Sequence, residues 1–172
     1  MATIEQVADY FIDTSIKWNE EYVTNLRLQK LVYYAQAWFV QRHNKPLFED
    51  EFRKYQFGPL SEKLYKKYAV NGDQPIISAS PSYSVNAFTA EELETLNDVM
   101  YEYGKLSTAA LVKRTHRQCE PWSIVQSDRG VISISMMKEA FDKLPPLKHM
   151  SEDENLLSNI PVSDSIPSDL DW

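Results

Sequence analysis

The stretch LQKLVYYAQAWF, residues 28–39, decides the fold. Its apolar residues recur at spacings of three and four, which aligns them in one stripe along a helix. The stripe consists of Leu28, Leu31, Val32, Ala35, Trp38 and Phe39, and the arc is widened by Leu26, Tyr33, Tyr34 and Val40. We therefore predict a central helix that other segments cover on more than one side, and we interpret its stripe as core rather than as a binding site.

Polar positions on this helix are few. They are Gln29, Lys30, Gln36 and Gln41, of which Lys30 is the charged one. Thr24 is well placed to cap the helix, and we expect it to end near His43 and Asn44, because a residue before proline disfavours the α conformation.

The chain has the size and composition of one domain. It contains 172 residues, of which 43% are hydrophobic, and no stretch reaches 18 uncharged apolar residues. The first ten residues, MATIEQVADY, lack the basic and apolar regions of a signal peptide. Cys119 is the single cysteine, which excludes an internal disulfide and a cysteine-based zinc site. We expect a cytoplasmic protein without a membrane span.

Charge is concentrated at the C-terminal end. The net charge is -7, and the segment from residue 145 onward holds six acids against Lys148, or -5, which leaves -2 for residues 1–144. The segment is also rich in serine and proline and shows no helical or strand period. We predict a helical domain over residues 1–144 and an acidic tail over residues 145–172 that is disordered when alone.

Six further segments show helical periodicity, capping residues or a proline suited to a first turn. They span about residues 3–16, 59–69, 89–104, 107–115, 133–144 and a short stretch from Pro121. Tyr55 and Phe57 alternate with Lys54 and Gln56, which indicates a short β element near residues 47–57, either a single extended segment or part of a hairpin. Gly58 and Pro59 are expected to end this element, with Pro59 opening the next helix. Residues 73–88 are interpreted as a loop. The predicted fold is mainly α: one compact domain of six to seven helices with a minor β element.

No sequence motif points to catalysis. The four glycines are too scattered for a phosphate-binding loop, and neither GxSxG nor HExxH occurs. His43, His116 and His149 lack the spacing of metal ligands. His116 and Cys119 are close in sequence, but a thiolate nucleophile needs a base positioned in space. We predict no enzyme activity, no cofactor and no metal.

Two basic clusters are candidate binding surfaces. Lys63, Lys66 and Lys67 lie on one predicted helix face, which is either a solvated surface or a partner site. The segment at residues 93–117 imitates a helix-turn-helix, with basic residues at 113, 114, 116 and 117 on its second helix. A DNA-binding regulator is therefore the alternative function, although a sequence pI near 5.0 argues against nucleic acid.

Several motifs together resemble a known family, the Panacea domain. They are LRLQKLVYYAQAWF at 26–39, YQFGPLSEKLY at 55–65, THRQCEPW at 115–122 and GVISISMMKEAF at 130–141. This group includes SocA-type antitoxins and phage-associated GepA-like proteins, and the resemblance covers roughly residues 3–144. Leu60 stands after the Gly-Pro step, where members usually have valine.

The resemblance implies a mostly helical antitoxin that binds a toxin encoded beside it and catalyses no reaction. The same domain serves against several unrelated toxins, so the fold does not identify the toxin. SocA-type members also deliver toxins to a ClpXP-type protease, which leaves sequestration and delivery both open.

The tail carries apolar residues among its acids, and the resemblance does not explain it. Such a segment is too polar to fold alone but has enough apolar anchors to order on a partner. Toxins that act on nucleotides or RNA usually need a basic groove, which an acidic strip complements. Our hypothesis is that the tail lies across the toxin through Asp169, Leu170, Asp171 and Trp172. The alternatives are a spacer, or a segment that folds back on Lys63, Lys66 and Lys67.

Overall fold

The computed structural model describes residues 1–18, 20 and 22–152. This part of the chain forms seven α-helices and a small three-stranded sheet, which confirms the predicted mainly α fold with a minor β element. The helices are α1 (Ile4–Lys17), α2 (Asn25–His43), α3 (Glu62–Tyr68), α4 (Ala90–Tyr103), α5 (Thr108–Thr115), α6 (Pro121–Ile124) and α7 (Ile134–Asp142), and the strands are β1 (Phe52–Tyr55), β2 (Gly58–Leu60) and β3 (Val131–Ile132). Short 3-10 turns occupy Ala69–Asn71, Val85–Ala87 and Met150–Glu152.

Helix α2 is the centre of the molecule, which confirms the prediction. Thr24 caps it by accepting a hydrogen bond from the Arg27 amide, and it ends at Asn44 in the left-handed conformation. Every side chain from residue 25 to 40 is buried, because α1, α4, α5 and α7 pack around it. No described helix, α2 included, is long and apolar enough to cross a membrane.

The buried polar side chains of α2 bind the backbone of the segments around it. Gln36 accepts a hydrogen bond from the Leu47 amide at 2.7 Å and donates one to the Phe48 carbonyl at 2.8 Å. Gln29 accepts one from the Ser61 amide at 2.9 Å. Backbone groups of irregular segments would otherwise be buried without partners, which is costly. These polar positions therefore hold the loops in place.

The short sheet corrects one prediction. Strand β1 lies between β2 and β3 and is antiparallel to both, with Tyr55 opposite Gly58 and Phe52 opposite Ile132. Gly58 and Pro59 therefore form a second strand and do not end the extended segment. Helix α3 begins at Glu62 and is capped by Ser61, so Pro59 is not in its first turn. Local proline statistics missed this because pairing across the hairpin determines the conformation here.

The other helix boundaries agree with the sequence. Thr3 and Gln6 form the predicted capping box of α1. Thr89, Ser107 and Ser133 each accept a hydrogen bond from the amide three residues later, at the starts of α4, α5 and α7. Short polar side chains at helix starts are thus a reliable local signal.

The segment at residues 145–152 lies against α4. His149 Nδ1 is 3.0 Å from an oxygen of Asp98 and 3.0 Å from one of Glu94, and the Met150 amide donates to Asp98 at 2.7 Å. The acidic tail proposed from the sequence therefore starts with a segment that is attached to the helical domain. Disorder was predicted for residues 145–172, and residues 145–152 are instead held by these contacts; the remainder, residues 153–172, lies outside the described residues.

Candidate functional site

A groove opens beside the β1–β2 hairpin, and we refer to it as the hairpin groove. Its volume is about 520 Å³, within the range of sites that bind small molecules or single side chains. Two residues, Gln56 and Phe57, form the hairpin tip at one side of the groove. The lining residues are Tyr55, Gln56, Phe57, Leu60, Glu62, Tyr65, Lys66 and Arg129. Its walls are therefore mainly aromatic and its rim is charged.

The hairpin is supported from behind by the THRQCEPW segment. The Trp122 indole N–H donates to the Tyr55 carbonyl at 2.6 Å, and His116 Nε2 lies 2.9 Å from the Gln56 carbonyl oxygen. The two rings contact each other with centroids 3.8 Å apart. Lys54 Nζ lies 4.3 Å from the Trp122 ring centre, in a cation–π arrangement. Two distant motifs are thus joined to hold the hairpin tip in one position.

Gly58 permits the close approach of the hairpin to the core. Its φ is +114°, and a Cβ there would lie 2.6 Å from Thr115 Oγ1 and 2.8 Å from Lys30 Cε. Both distances are shorter than real contacts, and the backbone conformation is one that side chains disfavour. Lys30 Nζ donates to the Pro59 carbonyl at 3.1 Å, and burial lowers the pKa of this lysine to about 7. Glycine is therefore required for the hairpin to reach α2 and α5.

The rim of the groove has an excess of positive charge. Its acid, Glu62, accepts a 2.5 Å hydrogen bond from the Tyr55 hydroxyl. This bond is the main reason why the pKa of Glu62 is lowered, with smaller contributions from Arg53, Lys66 and Arg129. Among the described residues, neither Lys66 nor Arg129 forms an ion pair. The groove thus offers two cations and an aromatic surface to a ligand.

The three predicted lysines of α3 differ in their surroundings. Lys63 pairs with Glu5 at 3.0 Å and with Asp50 at 3.5 Å. Lys66 lines the groove, and Lys67 Nζ is 5.5 Å from the centre of the Tyr68 ring. Sequence reasoning missed Tyr65 and Arg129 as neighbours of Lys66, since Arg129 comes from a distant turn. The other predicted contacts, Asp169, Leu170, Asp171 and Trp172, lie outside the described residues.

Two of the four basic residues that suggested DNA binding, those at positions 114 and 116, make contacts within the protein. The Arg114 guanidinium lies 5.3 Å from the Tyr103 ring centre. Both ring nitrogens of His116 lie against backbone carbonyls, those of Val112 and Gln56. Lys113 and Arg117 are exposed. Two exposed cations can neutralise few phosphates, so they would contribute little affinity for duplex DNA.

A cluster that the sequence did not reveal lies at the end of the described chain. Ligand atoms of Glu94, Asp98 and His149 lie within 4.8 Å of one another, a geometry able to hold a metal ion. Arg42 Nη1, however, lies 2.7 Å from Asp98, and the Met150 amide binds the same carboxylate. These contacts already satisfy Asp98, so we interpret the cluster as the attachment point of residues 145–152.

Glu120 is a buried acid among tyrosines. It is 5% exposed and lies near the hydroxyl of Tyr34. Burial raises the pKa of its carboxyl to about 7, although Arg117, the Tyr34 hydroxyl and Arg114 act in the opposite direction. The sequence offered no signal for this, because Glu120 stands in a polar stretch before Pro121 and resembles an exposed helix-start residue.

Glu120 should make stability depend on pH. Its folded pKa of about 7 is above the value of about 4.3 for an unfolded chain, so the folded state binds an extra proton between these limits. The unfolding free energy contributed by this group should then fall by about 3–4 kcal/mol as pH rises through that window. Urea unfolding at pH 5, 6, 7 and 8 should show this slope in the wild type and lose it in Glu120→Gln. Glu139→Gln, at an exposed position, is the control, and parallel curves for wild type and Glu120→Gln would contradict the assignment.

A family model and a curated relative both match this chain. The sequence model described as "Antitoxin SocA-like, Panacea domain" matches residues 28–123, from α2 to α6 and including the whole hairpin groove except Arg129. The antitoxin SocA of Caulobacter vibrioides (strain NA1000 / CB15N) is 25% identical over 125 residues, which are 63% of this chain and 62% of that protein. The chain thus spans less than two thirds of this curated relative. No solved structure gives a significant match. Since the family match covers more than half of the sequence, the chain belongs to the SocA-like antitoxin family with a Panacea domain.

Proposed function

We propose that this protein is a cytoplasmic antitoxin that neutralises a protein toxin by direct binding and catalyses no reaction itself. The observation that carries the proposal is the family match over residues 28–123. These residues include most of the central helix and the hairpin with its support from His116 and Trp122. The attachment of a half-buried aromatic hairpin by several hydrogen bonds fits a binding protein, because a preorganised surface loses little entropy on association.

Two groups of residues are the proposed contacts with the toxin. One is the lysine face of α3, Lys63, Lys66 and Lys67, of which Lys66 lines the groove. The other is the end of the acidic tail, Asp169, Leu170, Asp171 and Trp172. The tail is complementary in charge to the basic surface that nucleotide- or RNA-directed toxins require. The two groups would contact different regions of the toxin.

The proposal is tested with the product of the reading frame adjacent to this gene. Expression of that product alone is expected to stop growth, and co-expression of the full antitoxin is expected to restore it. The two proteins should also co-purify as a complex. A neighbouring product that is harmless, or that stays toxic and unbound in the presence of the antitoxin, would overturn the proposal.

Sequestration and delivery to a ClpXP-type protease predict different fates for the toxin. After protein synthesis is blocked, a sequestered toxin persists in an inactive complex. A delivered toxin disappears, and it is preserved in cells that lack the protease. Measuring the toxin half-life with and without the antitoxin, in both backgrounds, separates the two modes.

A further inference from the structure

The hairpin groove is an open surface with a defined chemistry. Tyr55, Phe57 and Tyr65 are each half-buried and form its walls, while the exposed side chains of Lys66 and Arg129 stand at its rim. The acid beside them, Glu62, is engaged by the Tyr55 hydroxyl. A peptide that combines apolar side chains with carboxylates would match this surface, since its apolar groups would pack on the aromatic walls and its carboxylates would pair with Lys66 and Arg129.

One such segment belongs to this chain and lies outside the described structure. Residues 153–172 carry five acids and no lysine or arginine. The acids are Asp153, Glu154, Asp164, Asp169 and Asp171. Apolar residues are interspersed among them: Leu156, Leu157, Ile160, Val162, Ile166, Leu170 and Trp172. The segment therefore has both features that the groove requires of a ligand.

The attachment of this segment favours contact with the groove. The described chain ends at Glu152, in the segment that packs against α4. His149 and Met150 of this segment bind Asp98 of that helix. Twenty residues can extend by about 65 Å, which exceeds the diameter of a domain of this size, about 40 Å. A short tether also gives an effective concentration on the order of millimolar. A contact with a dissociation constant of about 1 mM or lower is then populated within one molecule.

We propose that residues 153–172 dock in the hairpin groove of their own chain when no toxin is bound. Apolar side chains of the segment lie against Tyr55, Phe57 and Tyr65, and its carboxylates pair with Lys66 and Arg129. This docking does not depend on the proposed antitoxin function. If both hold, toxin binding must release the segment from the groove, because Lys66 and the tail are also proposed contacts with the toxin.

The single cysteine allows a direct test on the full chain. Cys119 is exposed and lies three residues from His116, so a nitroxide attached there is at most about 11 Å along the backbone from a residue that contacts the hairpin tip. We expect the label to broaden the amide NMR signals of residues 153–172, compared with the same sample after reduction of the nitroxide. Broadening should decrease at high salt, because salt screens exposed ion pairs.

Paired charge reversals decide whether the groove is the docking site. Lys66→Glu/Arg129→Glu should reduce the broadening severalfold, while Lys17→Glu/Lys143→Glu, which changes the net charge equally at exposed positions, should leave it unchanged. All four positions are exposed, so both double variants are expected to fold. Unchanged amide signals of residues 1–152 would confirm this. Absence of broadening in the wild type, or an equal loss in both double variants, would overturn the proposal. Broadening between labelled and unlabelled molecules in a mixture would instead assign the groove to the tail of a second copy.

Discussion

Replacement of Trp38 by alanine is expected to lower the unfolding free energy by about 3–5 kcal/mol, because a large buried side chain is removed from the centre of the core. Trp38 is 2% exposed and meets the Phe141 ring edge-on, with centroids 5.0 Å apart. Its indole N–H donates to the Tyr103 hydroxyl at 2.8 Å. The substitution would therefore disrupt contacts from α2 to both α4 and α7, and neutralisation of a toxin should fail through unfolding.

Urea unfolding measures this loss, and Trp38→Phe is the matched variant. Phenylalanine keeps most of the apolar contact but leaves the Tyr103 hydroxyl without its donor, so a smaller loss of about 1–2 kcal/mol is expected. A loss below about 1 kcal/mol for Trp38→Ala would place this residue outside the core and contradict the role of the central helix.

Replacement of Arg27 by alanine should have a similarly large effect for a different reason. The side chain is 2% exposed and donates at 2.7 Å to the Gly104 carbonyl and at 2.7 Å to the Leu106 carbonyl. These carbonyls belong to the turn that ends α4 and leads to α5. Without the guanidinium they would be buried without this partner, beside a cavity, and we expect a loss of about 3–5 kcal/mol.

Two further variants identify the cause of the Arg27 effect. Arg27→Lys restores a positive charge but cannot reach both carbonyls in the planar geometry of arginine, so it should recover only part of the stability. Lys113→Ala removes an exposed basic side chain and should change the unfolding free energy by less than about 0.5 kcal/mol. Full stability of Arg27→Lys would show that the charge alone matters, contrary to the hydrogen-bonding role.

Local signals were sufficient for most of the helices. Thr24, Thr89 and Ser107 were identified as caps from sequence, and each accepts the expected amide hydrogen bond. These contacts span three residues, so neighbouring side chains determine them whatever the rest of the fold does. The family could also be recognised from sequence, because its motifs lie in contiguous stretches.

The candidate groove could be predicted only in part. Tyr55 and Phe57 stood out as aromatic residues before Gly58, and Lys66 as part of a basic face. Their association with Arg129 depends on the pairing of β1 with β3, and the support from Trp122 depends on a contact across 67 residues. Gly58 and Pro59 suggested an end to the strand, because a local rule does not show which residues pair across a hairpin.

The sequence by itself determined the central helix, the caps, the mainly helical class and the family, since these depend on periodicity and on residues close along the chain. Only the tertiary structure decided the functions of the buried polar groups. Arg27, Gln29 and Gln36 look like interruptions of an apolar helix until the carbonyls and amides that they bind are known. The pKa of Glu120 likewise depends on burial beneath other segments. Desolvation and long-range hydrogen bonding are properties of the assembled fold, and no pattern along the chain encodes their partners.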